Sequence, residues 1–360
     1  MSNLDALRAL FYREGGADTT TAILLTSEVS RRYMTGFASS DGFVLISPAD
    51  ALFLTDSRYI EAAQQSVTDM PVCEQDKLYA QLAAFFEKNQ IDKVEIEAGR
   101  LSCREAAKLQ AALERITVLT TGAVDDCLDA LRCIKTEEET AQIVAAQRIA
   151  EQAFEHILGF IRPGVTEREI ALQLDYFMLS HGAEALSFET IAISGENTSK
   201  PHGVPGARQV QNGDFVTMDY GAVVGGLHSD MTRTVAVGSV SEEQKRVYQT
   251  VLDAKNTAEQ MLSAGVRASD GDKVARQVIE DAGYGGFFRH STGHGVGLEI
   301  HEFPNLSPRS DYVLCEGNVV TVEPGIYLPS RFGVRVEDMV LIEKNGCRRL
   351  TEAPEALIVL

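Results

Sequence analysis

Arg289-His290-Ser291-Thr292-Gly293-His294-Gly295-Val296-Gly297-Leu298-Glu299-Ile300-His301-Glu302 carries three of the seven histidines of a 360-residue chain. Glycines 293, 295 and 297 surround the middle imidazole. Without a Cβ, backbone or ligand can approach it closely. A solvated loop would be richer in Lys, Asn and Ser. Three histidines this close, in apolar and glycine-rich surroundings, suit a metal site, a general-base site, or both.

Working outward, the flanking segments read as β-structure that carries acids. Phe215–Gly221 and Leu227–Val235 form a hairpin around Val223–Gly226. An even-length loop puts Asp219 and Asp230 on one face of the sheet. A two- or four-residue loop centred on Val224-Gly225 sets them directly opposite. Like charges at that spacing destabilise a sheet unless a cation compensates. Asn318–Gly325 and Gly333–Ile342 form a second pair. An odd loop around Ser330 puts Glu323 and Glu337 on one face. A glutamate in a valine-rich strand costs on the order of several kcal/mol if buried unpaired. His202, in Pro201-His202-Gly203-Val204-Pro205, is a loop histidine on stiff backbone.

Asp219, Asp230, His294, Glu323 and Glu337 are therefore candidates for one site. Four carboxylates and one imidazole nearly balance two divalent ions. Oxygen-rich sites of this kind favour Mn, Co or Zn as Lewis acids. Two such ions, about 3.5–4 Å apart, can hold a bridging hydroxide and polarise a carbonyl. That chemistry fits amide hydrolysis and fits redox reactions poorly.

Before this region, Thr21–Leu25, Gly42–Ser47, Ala51–Thr55, Lys93–Glu97 and Ile116–Leu119 read as strands. Helical patterns fall over 4–13, 56–66, 78–89 and 103–113. Alternation of this kind indicates an α/β domain. The pattern changes between about 125 and 138, which sets a boundary near 130. Capping boxes at Thr136/Glu139 and Thr166/Glu169 open helices over 137–161 and 166–181. Two more helices cover 241–264 and 268–282.

Composition narrows the function. Hydrophobic residues make up 44% and charged residues 24%, with a formal charge of -19. Nucleic acid and anionic membrane surfaces need clustered Lys and Arg, so neither is an expected partner. No apolar run reaches transmembrane length, and the first residues lack a signal-peptide pattern. Six scattered cysteines without C-x-x-C spacing read as reduced thiols of a cytoplasmic protein.

Five blocks give residues 188–342 a resemblance to the pita-bread metallopeptidases. They are P-H-G-V-P (201–205), M-D-Y-G with S-D-M-T-R-T (218–221, 229–234), H-S-T-G-H-G-V-G-L-E-I-H-E (290–302), V-E-P-G-I-Y (322–327) and V-R-V-E-D (334–338). The likeness is to the proline-peptidase branch, aminopeptidase P and prolidase. The N-terminal half resembles the creatinase-like domain of that branch, best at Leu54-Thr55-Asp56-Ser57-Arg58-Tyr59.

The resemblance implies an α/β creatinase-like domain over 1–130 and an α+β pita-bread domain with a curved antiparallel sheet over 131–360. It implies hydrolysis of Xaa-Pro bonds, in dipeptides or at peptide N-termini, by a homodimer with two divalent ions per chain, Mn foremost. Asp219 and Asp230 would hold one ion, His294 and Glu323 the other, with Asp230 and Glu337 bridging. Glu323 would shuttle a proton from the metal-bridging hydroxide. His290 and His301 would orient substrate and stabilise the tetrahedral intermediate. His202 would line the proline side, and Arg335 would support the site by a salt bridge. An Xaa-Pro bond is a tertiary amide without the N–H that ordinary peptidases grip. Three alternatives share the fold. Creatinase is a metal-free amidinohydrolase lacking the ligand set. Methionine aminopeptidase usually lacks the large N-terminal domain. Non-catalytic binding scaffolds have lost ligands that this chain keeps.

Overall fold

The computed structural model describes residues 2–360, and the chain divides into two compact units between Arg132 and Cys133. No helix among the described residues is long and apolar enough to cross a membrane.

The first unit is built on one mixed sheet. Its elements are α1 (Asn3–Arg8), which continues as a π-helical turn over Ala9–Glu14, β1 (Thr21–Leu25), α2 (Glu28–Thr35), β2 (Phe43–Ile46), β3 (Ala51–Thr55), α3 (Ile60–Ser66) and β4 (Val72–Glu74). They are followed by α4 (Leu78–Lys88), β5 (Lys93–Ile96), α5 (Cys103–Ala112), β6 (Thr117–Leu119) and α6 (Ala123–Arg132). The strand order is β4-β3-β2-β1-β5-β6. β1 pairs in parallel with β5 and antiparallel with β2. Successive side chains of a strand point to opposite faces. Accordingly Ile23 and Leu25 enter one apolar cluster with Val44, Ile46 and Phe53, while Ala22 and Leu24 enter another with Leu45, Leu54 and Val94. With both faces covered, the strands read as continuous apolar runs.

Two elements of this unit, α2 and β4, were not expected. α2 buries only Ser30, Arg31 and Met34, so it shows no apolar period. Arg31 is buried because its guanidinium reaches the carbonyls of Thr26 and Ser39. β4 is an edge strand with mostly exposed residues, so alternation is absent there too. The helix expected over 56–66 starts only at Ile60, because Asp56 accepts from the Arg58 amide and makes a turn.

The second unit begins with α7 (Glu137–Leu158) and α8 (Glu167–Ser180), each opened by its capping box. Ile170, Leu174 and Met178 form the buried face of α8. Then come β7 (Ala185–Leu186), β8 (Ile191–Ser194), β9 (Phe215–Tyr220), β10 (Ala222–Val224), β11 (Leu227–His228) and β12 (Met231–Ala236). α9 (Glu242–Met261) and α10 (Ala268–Asp281) follow. The last strands are β13 (Gly293–Gly295), β14 (Glu302–Leu306), β15 (Val319–Val322), β16 (Gly325–Leu328), β17 (Phe332–Arg335), β18 (Asp338–Glu343) and β19 (Gly346–Arg349). Every strand pairing in this unit is antiparallel. The β-structure is interrupted, and the interruptions fall at Asp230, Glu323 and Glu337, while Asp219 lies within β9.

Two registers show how. In the hairpin from β9 to β12, Asp219 pairs with Thr232 and Val224 with Leu227. The loop is Gly225-Gly226, with φ of 61° and 79°. Both positive values fit the two-residue turn that matches strand twist, and glycine adopts them without strain. The turn therefore centres one residue later than expected. Asp219 and Asp230 still share a face, but as diagonal neighbours rather than a directly opposed pair. In the second hairpin, Gly325 pairs with Arg335 and Val322 with Asp338. Ser330, with φ 58°, is the middle of a three-residue loop between Leu328 and Phe332. That is the expected register. Glu323 and Glu337 face each other in the gap between the two ladders. Their backbone amides turn elsewhere: Glu323 N–H donates to the Thr292 carbonyl (2.7 Å) and Glu337 N–H to the Thr232 carbonyl (3.1 Å).

Candidate active site

Side chains from these breaks, together with Asp219 of β9 and His294 of β13, line one cleft of about 510 Å³. Asp219, Asp230, His294, Glu323 and Glu337 all line it, with His202, His290, His301 and Arg335. Every residue singled out in the sequence for this site is therefore in the same place. Among the described residues, one group of side chains could hold a metal ion by proximity: Asp230, His294 and Glu337, whose ligand atoms lie within 4.8 Å of one another. His294 Nε2 is 3.5 Å from Asp230 Oδ2 and 3.3 Å from Glu323 Oε1.

His294 is fixed by its glycines. At Gly293 a Cβ would sit 1.9 Å from the Thr321 carbonyl oxygen, so only glycine lets β13 approach β15 this closely. The His294 amide donates to Thr321 Oγ1 (3.1 Å), and its Nδ1 pairs with the Gly295 carbonyl (3.1 Å). That bond leaves Nε2 pointing at the carboxylates.

The carboxylates share a pattern. Asp219 Oδ2 accepts from the Arg335 guanidinium, and Glu337 Oε2 accepts from Thr232 Oγ1 at 2.6 Å. Asp219 Oδ1, Asp230 Oδ1 and Glu337 Oε1 are buried without any hydrogen-bond partner. Three orphaned carboxylate oxygens in one cleft cost too much to be structural alone. Burial, together with the charges of Glu337 and Asp219, pushes the Asp230 carboxyl well above its ordinary range. Burial and the charges of Glu323 and Asp219 do the same to Glu337. Glu323 behaves oppositely: burial would raise it, but the His294 hydrogen bond and charge hold it at about 2. Burial lowers His294, yet its bond to Glu323 outweighs that and leaves it raised. The donor set of carboxylate oxygens and an imidazole nitrogen, with unsatisfied oxygens on residues lining the same cleft, fits divalent cations.

The other histidines differ among themselves. His290 has both ring nitrogens engaged, Nδ1 with the Ser291 carbonyl and Nε2 with Tyr327 Oη, each at 2.8 Å. Burial lowers its pKa, so it is neutral near pH 7. The ring of His301 lies edge-on to His294, centroids 4.3 Å apart. Burial and then the neighbouring His294 lower it as well. His202 and His301 are both exposed, and no protein hydrogen bond among the described residues engages their rings. Arg335 forms the expected salt bridge, to Asp219, and also donates to Tyr327 Oη (3.0 Å) and Thr232 Oγ1 (3.0 Å).

Tyr327 and Thr232 were not singled out in the sequence. Tyr327 Oη joins Arg335 to His290, and burial pushes its pKa up to about 12. A tyrosine four residues after a candidate ligand, inside an apolar strand, was a usable signal, since buried hydroxyls find partners.

The donor set of the cleft suits a metal-dependent hydrolase, and comparison with known proteins gives the family. Residues 141–344 match the model of metallopeptidase family M24, and residues 4–134 that of the Creatinase/Prolidase N-terminal domain. A peptidase of Bacillus subtilis, YqhT, is 40% identical over 99% of both chains. A solved Xaa-Pro dipeptidase from Bacillus anthracis superposes with a TM-score of 0.94 at 40% identity, covering 99% of each chain. A solved X-Pro aminopeptidase from Thermotoga maritima gives 0.91 at 37% identity over 100% of both. The chain belongs to metallopeptidase family M24, with the creatinase-like N-terminal domain and pita-bread C-terminal domain of its prolidase-like members.

Proposed function

We propose that this protein hydrolyses the bond before proline in Xaa-Pro dipeptides and at the N-terminus of short peptides, as a homodimer carrying two divalent ions per chain. One observation carries the reading: Asp219, Asp230 and Glu337, each with a buried carboxylate oxygen that has no hydrogen-bond partner, line one cleft with His294 and Glu323. The substrate class is supported by the names of its relatives, an Xaa-Pro dipeptidase and an X-Pro aminopeptidase.

Asp219 and Asp230 would hold one ion, and His294 and Glu323 the other, with Asp230 and Glu337 between them. Mn is the first choice and Co or Zn suit the same donors. Bound there, such ions supply Lewis acidity at the scissile carbonyl and a water acidic enough to attack at neutral pH. Glu323, ionised at neutral pH, takes a proton from the attacking water on a carboxylate oxygen and passes it to the proline nitrogen as the C–N bond breaks. His301 and His202, whose rings are free, orient the substrate. His290 contributes its position: it lines the cleft and anchors Tyr327. Arg335 holds Asp219 with its free oxygen facing the ion site.

The test uses purified, Mn-loaded protein with an Xaa-Pro dipeptide and an Xaa-Pro-Yaa tripeptide. Cleavage should vanish with chelator, return with Mn, and be absent in Asp230→Ala. Loaded protein that cleaves no Xaa-Pro substrate of any length would overturn the reading in favour of a binding scaffold. The ratio of the two rates decides between dipeptidase and aminopeptidase.

A further inference from the structure

The segment from Phe288 to Thr292 brings His290 to the cleft without belonging to a strand. Irregular backbone must still satisfy its polar groups. Here a side-chain pair on α10 does so from behind the site. Arg276 Nη1 donates to the Phe288 carbonyl and Nη2 to the His290 carbonyl, both at 3.0 Å. Its guanidinium also lies over the Phe288 ring, 4.3 Å from the centroid, and that ring meets His290 edge-on at 5.0 Å. Arg276 is itself held by Asp272, through Nε (2.9 Å) and Nη2 (2.8 Å). Asp272, 1% exposed, then takes the N–H (3.1 Å) and Oγ1 (3.0 Å) of Thr292 on the same oxygen that meets Nη2. The Thr292 carbonyl in turn accepts the Glu323 amide at 2.7 Å.

Neither Asp272 nor Arg276 lines the cleft. Yet between them they fix both ends of the His290 segment and, through Thr292, the backbone of Glu323. The fork of an arginine can hold a carboxylate and two carbonyls at once, which a lysine ammonium cannot do in one plane. We infer that Asp272 and Arg276 are positioning residues for the reaction. They set the His290 ring against Tyr327, and Glu323 against His294, without touching substrate. This inference rests on the Xaa-Pro peptidase reading.

A misplacement of about 1 Å in a reacting array can cost on the order of a hundredfold in rate. Arg276→Met, which keeps the stem volume, should lower kcat on an Xaa-Pro dipeptide by about 10- to 100-fold. KM should change little, and Mn bound per chain should match the wild type. Arg276→Lys should recover only part of the loss, and it carries the same test if the Met variant does not fold. A double-mutant cycle with His290→Ala gives the readout that a purely structural role would not move. If Arg276 acts through His290, its substitution should matter severalfold less once His290 is gone. Full additivity, or a lowered Tm with unchanged kcat per Mn-loaded chain, would overturn the inference. A wild-type protein inactive on every Xaa-Pro substrate would instead overturn the underlying reading, so the two failures are distinct.

Discussion

Glu337 is 1% exposed, with one oxygen bonded to Thr232 and the other to nothing. Its neighbours Asp219, Asp230 and Glu323 are acids in the same cleft. Without a cation this arrangement opposes folding, because a buried charge loses its hydration and meets like charges. Glu337→Gln should therefore stabilise the metal-free protein, by on the order of 1 kcal/mol, while weakening metal affinity. Thermal unfolding in chelator and in Mn reads both effects. A Gln variant less stable than wild type in chelator would show that the carboxylate's bond to Thr232 outweighs the repulsion. Tyr327 gives a second residue-scale case. Tyr327→Phe leaves Arg335 Nη1 and His290 Nε2 without their shared partner, which costs about 1–3 kcal/mol for buried groups. Unchanged Tm in that variant would mean that water replaces the hydroxyl.

At the scale of elements, the site is made by the gaps between ladders. Asp230, Glu323 and Glu337 sit where strands stop pairing with one partner and before they pair with the next. Such places free a side chain from the regular alternation of a sheet. β13 is held against β15 by Gly293. Gly293→Ala would drive a methyl group into the Thr321 carbonyl and push His294 out of line. Overpacking of this kind costs about 1–3 kcal/mol or more, so a clear loss of Tm and of Mn content is expected. The two hairpins are also tied behind the site. Arg233 of β12 donates to the Glu337 carbonyl and to Asp338 Oδ1, and Lys255 of α9 pairs with the other Asp338 oxygen. All three side chains are buried. Asp338→Ala would remove the carboxylate that Arg233, Lys255 and Arg349 share and should cost about 3–5 kcal/mol. Urea denaturation measures it, and a change below about 1 kcal/mol would mean that Glu259, Glu355 and the nearby carbonyls suffice without Asp338.

Considered as a whole molecule, the chain carries a formal charge of -19. Some of that charge is the site itself. Ion binding and folding are then linked: a ligand that binds only the folded state adds about 2.7 kcal/mol at a hundred times its Kd. Tm should rise with the logarithm of Mn concentration and level off in Asp230→Ala. Mg should do less, since it keeps its waters and fits an imidazole-containing site poorly. Equal Tm in chelator and in saturating Mn would contradict the link.

The sequence alone determined the helix caps at Thr136 and Thr166, the second-hairpin register and the five acidic and imidazole candidates. Each of these is local: a cap needs residues three apart, a register needs a parity and a turn. It did not determine the first-hairpin register, because two adjacent glycines allow the turn to slide by one residue. Nor did it reveal α2, whose buried face is a serine, an arginine and one methionine and so carries no apolar period. Only the tertiary structure decided that Tyr327 bridges His290 to Arg335 and that Arg276 grips the histidine segment. Those contacts join residues distant in sequence, and no spacing rule encodes which buried donor meets which buried acceptor.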